Sequence, residues 1–333
     1  MADVLVTGSA GFIGSHVCRR LLGEGASVAG VDDFNPRFFA SVKRARDADL
    51  RAAHPGFACA EADVADLAAL GRVFEAHRPR LVVHLAAQTG VRYSAVDPFV
   101  YERSNVAGTL NVLDLSRRGG VERVVYASSS SVYGGSKTLP FREADRVDAP
   151  ISLYAATKKA CELMAQSYAH LHGMTLVGLR YFTVYGPWGR PDMAVWKFTE
   201  KVANGEPIAL YAAGRMRRDF TYVDDVVDAT LALARLPGLT GHEVFNVGGS
   251  RCEDLSALVS AIEAAVGRPA VVRFGPPQPG DMEATWADTS KLAAATGHAP
   301  RVPIAEGVPA FVRWYLDHGQ VADAVRRERR EED

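Results

Sequence analysis

The chain has 333 residues, 48% of them hydrophobic and 23% charged, with 38 basic against 39 acidic side chains for a formal net charge of −1. This composition excludes disorder as the main state. Near-neutral charge, with no basic stripe interleaved with aromatics, argues against a nucleic-acid-binding protein. A chain of this length buries enough surface to fold without staples. The four cysteines, Cys18, Cys59, Cys161 and Cys252, are scattered without a CxxC pair. They suggest neither a zinc site nor a disulfide framework, and fit a reducing, cytoplasmic setting.

The run VLVT at 4–7 reads as a first strand, in an apolar stretch too short for a signal segment or a membrane span. Further β-branched runs follow at 27–31, 81–86, 123–128 and 175–179, and FACAEA at 57–62 reads as a short strand. Apolar residues at helical spacing fall between them at 14–22, 67–77, 105–117 and 154–172. This alternation predicts a doubly wound α/β fold with a parallel sheet. After Tyr181 the chain turns to loops punctuated by Pro and Gly, and regular structure returns at 220–236 and 243–249. The expected organisation is a dinucleotide-binding domain over 1–180 to which 220–250 returns, and a smaller, interleaved C-terminal substrate lobe from 181–219 and 251–320. A charged tail at 321–333 is expected to fray from Arg326 onward.

Between the first strand and first helix lies Thr7-Gly8-Ser9-Ala10-Gly11-Phe12-Ile13-Gly14, a Gly-x-x-Gly-x-x-Gly loop. Glycines let the backbone turn tightly and approach a pyrophosphate, whose charge is favoured by free amides and the dipole at a helix N-terminus. Asp32 ends the second strand, where a carboxylate accepts hydrogen bonds from ribose hydroxyls. It would repel a 2′-phosphate, which favours NAD over NADP. Arg37, Lys43 and Arg44 nearby leave that choice open unless they form a solvated face. Asp63, followed by Val64, is placed either to touch adenine or to cap the next helix.

Tyr154 and Lys158 stand four residues apart on one helix face. A tyrosine of pKa ~10 acts as a base near pH 7 only if its phenolate is preferentially stabilised, which Lys158 and a positive nicotinamide ring would do. On an ordinary helix the pair would simply be exposed. The run Ser128-Ser129-Ser130-Ser131 ends the fifth strand, placing hydroxyls where sites of such sheets gather, unless it is a polar turn.

These residues resemble the extended short-chain dehydrogenase/reductases, Rossmann-fold proteins, and among them the nucleotide-sugar 4-epimerases. The likeness runs from TGSAGFIGSH to PGDMEATWADTSK. HLAAQTGVRYS at 84–94, YASSSSVYGG at 126–135, SLYAATKKACELMA at 152–165 and LRYFTVYGPWGRPDMA at 179–194 are most similar to the branch acting on UDP-glucuronate. The resemblance implies a retained NAD and a redox cycle without net oxidation. Tyr154 would remove the O4 proton, Ser129 would share it, and Lys158 would hold the nicotinamide ribose. The 4-keto sugar would swing about its pyrophosphate link and be reduced from its other face, giving UDP-galacturonate without decarboxylation. Leu85, Ala86, Ala87 and Tyr181 match cofactor-lining positions. Ser130, Thr183, Tyr211, Arg218, Gln278 and Asp281 match positions near the nucleotide or sugar.

Thr183 stands where neutral-sugar relatives carry asparagine, and Gln278 where they carry arginine. Arg190 then suits a sugar carboxylate, which a guanidinium binds with charge-assisted geometry, or it lies on the lobe surface. Arg92 serves a similar end or ties down its loop. Relatives that dehydrate carry Asp-Glu at the positions of Ser130 and Ser131, and decarboxylases carry Glu at that of Ser131. A decarboxylase, a neutral-sugar epimerase and a non-catalytic NAD-binding module are the rival readings. The helices at 105–117 and 154–172 would, by the same resemblance, pair across a twofold axis in a homodimer.

Overall fold

Valine-rich runs buried on both faces are what the strands of a covered parallel sheet require. In the computed structural model, which describes residues 2–211, 214, 216–276 and 282–332, they form one. Its strands are β1 (Val4–Thr7), β2 (Val28–Asp32), β3 (Ala58–Glu61), β4 (Leu81–His84), β5 (Arg123–Ser129), β6 (Leu176–Tyr181) and the returning strand His242–Val247. The spatial order is His242–Val247, β6, β5, β4, β1, β2, β3, all parallel. The order reverses between β1 and β4, opening a crevice at their carboxyl ends, as in a Rossmann sheet.

The crossover helices are α1 (Phe12–Gly23), α2 (Ala40–Ala53), α3 (Leu67–His77), the short α4 (Pro98–Tyr101), α5 (Gly108–Gly119) and α6 (Leu153–His172). On one face Leu70, Phe74, Val112, Leu113 and Cys161 from α3, α5 and α6 pack on Leu5, Val82 and Val124. On the other, Val17 and Leu21 of α1 and Val223 and Val227 of the helix Val223–Arg235 pack on Val4, Val6 and Val83. Where periodicity suggests a helix from residue 105, a π-helical segment covers Glu102–Ala107 and α5 follows. It lets Asn105 bond the backbone N–H and carbonyl of Gln88 at 2.8 and 3.0 Å.

A separate core joins Trp196, Leu258, Ile262, Phe311, Trp314 and Tyr315 to Phe39 and Val42 at α2. The tail completes it, which corrects the expectation of fraying: Gly319–Glu332 is a helix. Ala322 and Val325 are buried in this core. Its Arg326 pairs with Asp323, and its Arg329 pairs with the buried Glu200. Glu328 accepts the Ser41 amide at 2.9 Å in the first turn of α2, where a carboxylate is favoured by the helix dipole. A charge run with two apolar residues just before it thus reads as solvent-bound until its docking face is known.

Candidate active site

Gly8 follows β1 with φ +70°, and a Cβ there would stand 2.7 Å from the Ala86 nitrogen. Gly14 lets α1 begin directly over the Gly8 carbonyl. Gly11 caps α1 without any side-chain hydrogen bond, which leaves first-turn amides and the positive end of the dipole at the wall of a cavity of about 240 Å³. Gly8, Gly11, Phe12, Ile13, Gly14, Asp32, Asp63, Val64, Leu85, Ala86, Ala87 and Tyr181 all line this cavity.

The buried Asp32 accepts the amides of Ala10 at 3.1 Å and Phe34 at 2.9 Å. Burial raises its pKa, against Lys43 and those amides, which pull it down. Lys43 is not on a solvated face: its Nζ lies 3.9 Å from Asp32 and 3.8 Å from Asp33, at the cavity wall. Arg44 forks onto Glu61 at 2.9 and 2.7 Å, and Arg37 sits 3.6 Å from the ring centroid of Tyr93. Asp63 does not cap α3. Asp66 does, accepting Ala68 and Ala69 amides at 3.0 and 2.9 Å, while Asp63 accepts the Ala65 amide and pairs with Arg103, each at 2.8 Å.

Ser152 caps α6 by accepting the Ala155 amide at 3.1 Å, so Tyr154 and Lys158 project from the first two turns. Both line the cavity with Ser128 and Ser129 from the end of β5. Lys158 is buried and donates to the Ala127 carbonyl at 2.8 Å. Ser129 Oγ accepts the Ser131 amide at 3.1 Å, which orients its hydroxyl. The Tyr101 ring meets Tyr154 edge-on at 6.1 Å, and its hydroxyl is anchored on the Thr89 and Gly90 carbonyls at 2.5 and 2.6 Å.

Behind this wall lies a group that the motifs did not announce. Arg180 of β6 forks onto Glu162 of α6 at 2.8 and 2.9 Å, and Ser128 donates to the same carboxylate at 2.7 Å. Burial acts to raise the Glu162 pKa, and Arg180, Ser128 and Lys159 more than offset it, so the carboxyl lies below its ordinary value. The signal was present: an acid two turns beyond Tyr154, on a buried helix face, needs a buried cation.

On the opposite wall Arg190 lines the cavity with Pro191 and Met193. It is bound to Asp192 at 3.0 and 2.5 Å. Burial acts to lower its pKa, and Asp192 more than offsets this, with the result above the ordinary value. Ser130, Thr183, Arg92, Tyr211 and Arg218 are not among the cavity-lining residues. Thr183 follows β6 and donates its amide to the Asp219 carbonyl at 3.1 Å. Arg92 lies 5.8 Å from the centroid of Tyr211, which brings these two together. Arg218 donates to the Arg217 carbonyl at 2.8 Å. Gln278 and Asp281 lie outside the described residues. Arg46, Gln88, Ser104 and Phe182, which motif reading passed over, also line the cavity.

A glycine-rich loop over a bare helix N-terminus, a carboxylate ending the second strand and a Tyr-x-x-x-Lys pair across the same cavity define a dinucleotide-dependent oxidoreductase-type site. A model of the family described as "NAD dependent epimerase/dehydratase family" matches residues 4–248, and the chain belongs to that family. It is 45% identical over 328 residues to a probable UDP-glucuronate 4-epimerase of Rhizobium meliloti, covering 93% of this chain and 96% of that one. Among solved structures it resembles UDP-glucuronic acid 4-epimerase from Bacillus cereus in complex with UDP-glucuronic acid and NAD. The TM-score is 0.87 at 32% identity, over 94% of this chain and 99% of that one. It also resembles a Thermotoga maritima UDP-glucose 4-epimerase with UDP-glucose, with TM-score 0.86 at 31% identity, over 94% and 98% of the two chains. The residues present fit NAD: α1 offers uncapped amides for a pyrophosphate, Asp32 a carboxylate for a ribose, and Lys158 a buried ammonium beside the carboxyl end of β5.

Proposed function

We propose that this protein interconverts UDP-glucuronate and UDP-galacturonate by 4-epimerisation, without loss of the carboxylate. The carrying observation is that Tyr154, Lys158 and Ser129 share one cavity with Arg190. The glycine loop from Gly8 to Gly14 and Asp32 hold the dinucleotide, with Asp63, Val64, Leu85, Ala86, Ala87 and Tyr181 along its length. Bound NAD supplies reversible two-electron exchange at C4 of the sugar. Tyr154 takes the O4 proton as a general base and returns it after the 4-keto sugar has presented its other face. Ser129 donates to the same oxygen with Ser130 beside it, and Lys158 holds the nicotinamide ribose and favours the phenolate.

Arg190 and Thr183 hold the C6 carboxylate out of line with the C4 carbonyl, which keeps the 4-keto uronate from releasing carbon dioxide; each ~1.4 kcal/mol of added barrier is worth about tenfold. Asp192 fixes the Arg190 fork from the side. Tyr211, Arg218, Gln278 and Asp281 bind the nucleotide or the sugar, so that UDP stays anchored while the sugar turns, and Arg92 assists at the carboxylate or ties down its loop. Ser130 and Ser131, in place of the acids of dehydrating and decarboxylating relatives, support this reading.

Proton NMR of purified protein with UDP-glucuronate and no added NAD tests it. UDP-galacturonate without a pentose product is the expected result. A UDP-pentose would mean a decarboxylase, and inertness after NAD is supplied would overturn the reading. Leu110 of α5 and Leu153, Leu163 and Leu171 of α6 are exposed, an apolar stripe that supports a homodimer built on these helices. Light scattering that returns a monomer would reject it. The four cysteines are free thiols, which supports a cytoplasmic site of action, and no described helix is long and apolar enough to cross a membrane.

A further inference from the structure

The segment from Gly186 to Pro191 brings Arg190 to the cavity, and its own conformation is costly. Gly186 has φ +145° and Trp188, with a full side chain, has φ +59°. A non-glycine residue in the left-handed region persists where its surroundings over-determine it. Here the surroundings come from the cofactor side. His16 of α1 meets the Pro187 carbonyl at 2.9 Å, and because a carbonyl has no proton to give, Nε2 is the donor. Arg46 of α2 does more. Its Nε and Nη2 donate to the Trp188 carbonyl at 3.1 and 2.7 Å, and Nη2 also reaches the Gly189 carbonyl at 3.2 Å. Its Nη1 turns the other way and donates to the Ala10 carbonyl of the glycine loop at 3.1 Å.

Arg46 is 4% exposed and forms no ion pair among the described residues. Burial lowers its pKa to about 9, with Arg190 acting in the same direction and Asp32 and Asp192 opposing it. A buried charge of this kind is normally replaced by an apolar side chain or given a carboxylate. What three carbonyl oxygens in two loops require is a planar fork with donors on opposite edges, and arginine alone has one.

We propose that Arg46 is a positioning residue: it spans the glycine loop and the Arg190-bearing segment, and so sets where Arg190 stands relative to the cofactor side of the cavity. The consequence for product, which rests on the epimerase reading above, is that Arg46 governs the ratio of epimer to decarboxylated pentose without touching the sugar. A lysine at this position keeps the charge and reaches one edge at most, so the segment loses its reference to the glycine loop.

The test compares wild type with Arg46→Lys, using Arg46→Met as the variant that loses the charge as well. In Arg46→Lys, KM for UDP-glucuronate is expected to rise ~10-fold or more, with UDP affinity unchanged and the pentose fraction up ~10-fold. Hydrogen exchange of the peptide covering 186–193 is expected to quicken, a readout that needs no turnover. A lowered Tm with unaltered KM, product ratio and loop exchange would reduce Arg46 to a structural part and overturn the proposal. Where wild type leaves UDP-glucuronate unchanged, the functional reading fails by itself, and the loop exchange still decides for or against Arg46. Arg46→Met is expected to move the same quantities further, and a variant less perturbed than Arg46→Lys would also count against the strut.

Discussion

The two walls of the cavity are built differently. The cofactor wall is made of backbone and of residues beside strand ends: Gly8 at φ +70°, the uncapped start of α1, and Asp32 accepting amides from Ala10 and Phe34. The opposite wall carries a side chain held by another side chain, Arg190 on Asp192, in a segment distant in sequence from the glycine loop. Backbone geometry cannot change without refolding, whereas a cation held by a neighbour can be exchanged. The chain superposes about equally on a UDP-glucuronic acid 4-epimerase and on a UDP-glucose 4-epimerase, with TM-scores of 0.87 and 0.86. The frame alone therefore does not distinguish the sugar, and on the proposed reading that discrimination falls to Arg190.

The sharpest way to separate the walls is to remove the chemistry between them. Tyr154→Phe is expected to lower kcat by ~10²- to 10⁴-fold while NAD content and UDP binding persist, because on the proposed reading only the proton carrier is lost. Activity within a few-fold of wild type would show that another group serves O4.

Glu162→Gln probes what stands behind the cofactor wall. Removing one partner leaves Arg180 charged and buried, and breaking such a pair costs about 3–5 kcal/mol. Denaturant unfolding should show this loss, with the residual activity concentrated in folded protein. The sign with pH follows: a carboxyl lowered below its unfolded value contributes stability above the unfolded pKa of ~4.3, and the contribution disappears as pH falls through the folded value. A variant as stable as wild type would mean that the Tyr133 hydroxyl and the Glu143 carbonyl suffice for Arg180 without the carboxylate.

Arg190→Ala addresses the other wall. Loss of a charge-assisted bond to the sugar carboxylate is expected to weaken UDP-glucuronate binding ~10- to 100-fold, with UDP-glucose affinity little changed. Equal losses for both sugars, measured by calorimetry, would move Arg190 from recognition of the carboxylate to general support of the cavity.

The same division explains what could be read in advance. Strands covered on both faces declare themselves by continuous apolar runs, and the glycine loop is one contiguous segment whose function depends on its place between β1 and α1. That Gly8, Asp32, Tyr154 and Lys158 line one cavity was legible because each lies in or beside such a segment. The N-cap of α3 was not, because Asp63 and Asp66 both precede the helix and only geometry decides which meets Ala68. The tail helix was missed because Ala322 and Val325 acquire meaning only against a core assembled from remote segments. Arg46 reads as one of several basic residues on a polar helix, and nothing local shows that its three acceptors arrive from Ala10, Trp188 and Gly189.

The smallest expected effect concerns His84, at the end of β4 within the backbone-built side. Its ring nitrogens meet Thr7 Oγ1 at 2.6 Å and Thr109 Oγ1 at 3.1 Å, and burial, with Lys158 adding to it, lowers its pKa from 6.5 to about 3. The unfolded imidazole therefore takes up a proton near pH 6.5 that the folded one refuses until about pH 3. Between those values the unfolded state binds more protons, so stability falls as pH falls. His84→Gln, which keeps a donor and an acceptor without a titrating ring, should flatten that part of the acid limb in Tm measured from pH 7 to 4, at some cost in stability at pH 7. His16, lowered to about 4 by burial, contributes in the same direction from the bridge between the walls. Substituting both should therefore flatten the limb further than either alone, and a limb left unchanged by His84→Gln would assign acid sensitivity to the carboxylates instead.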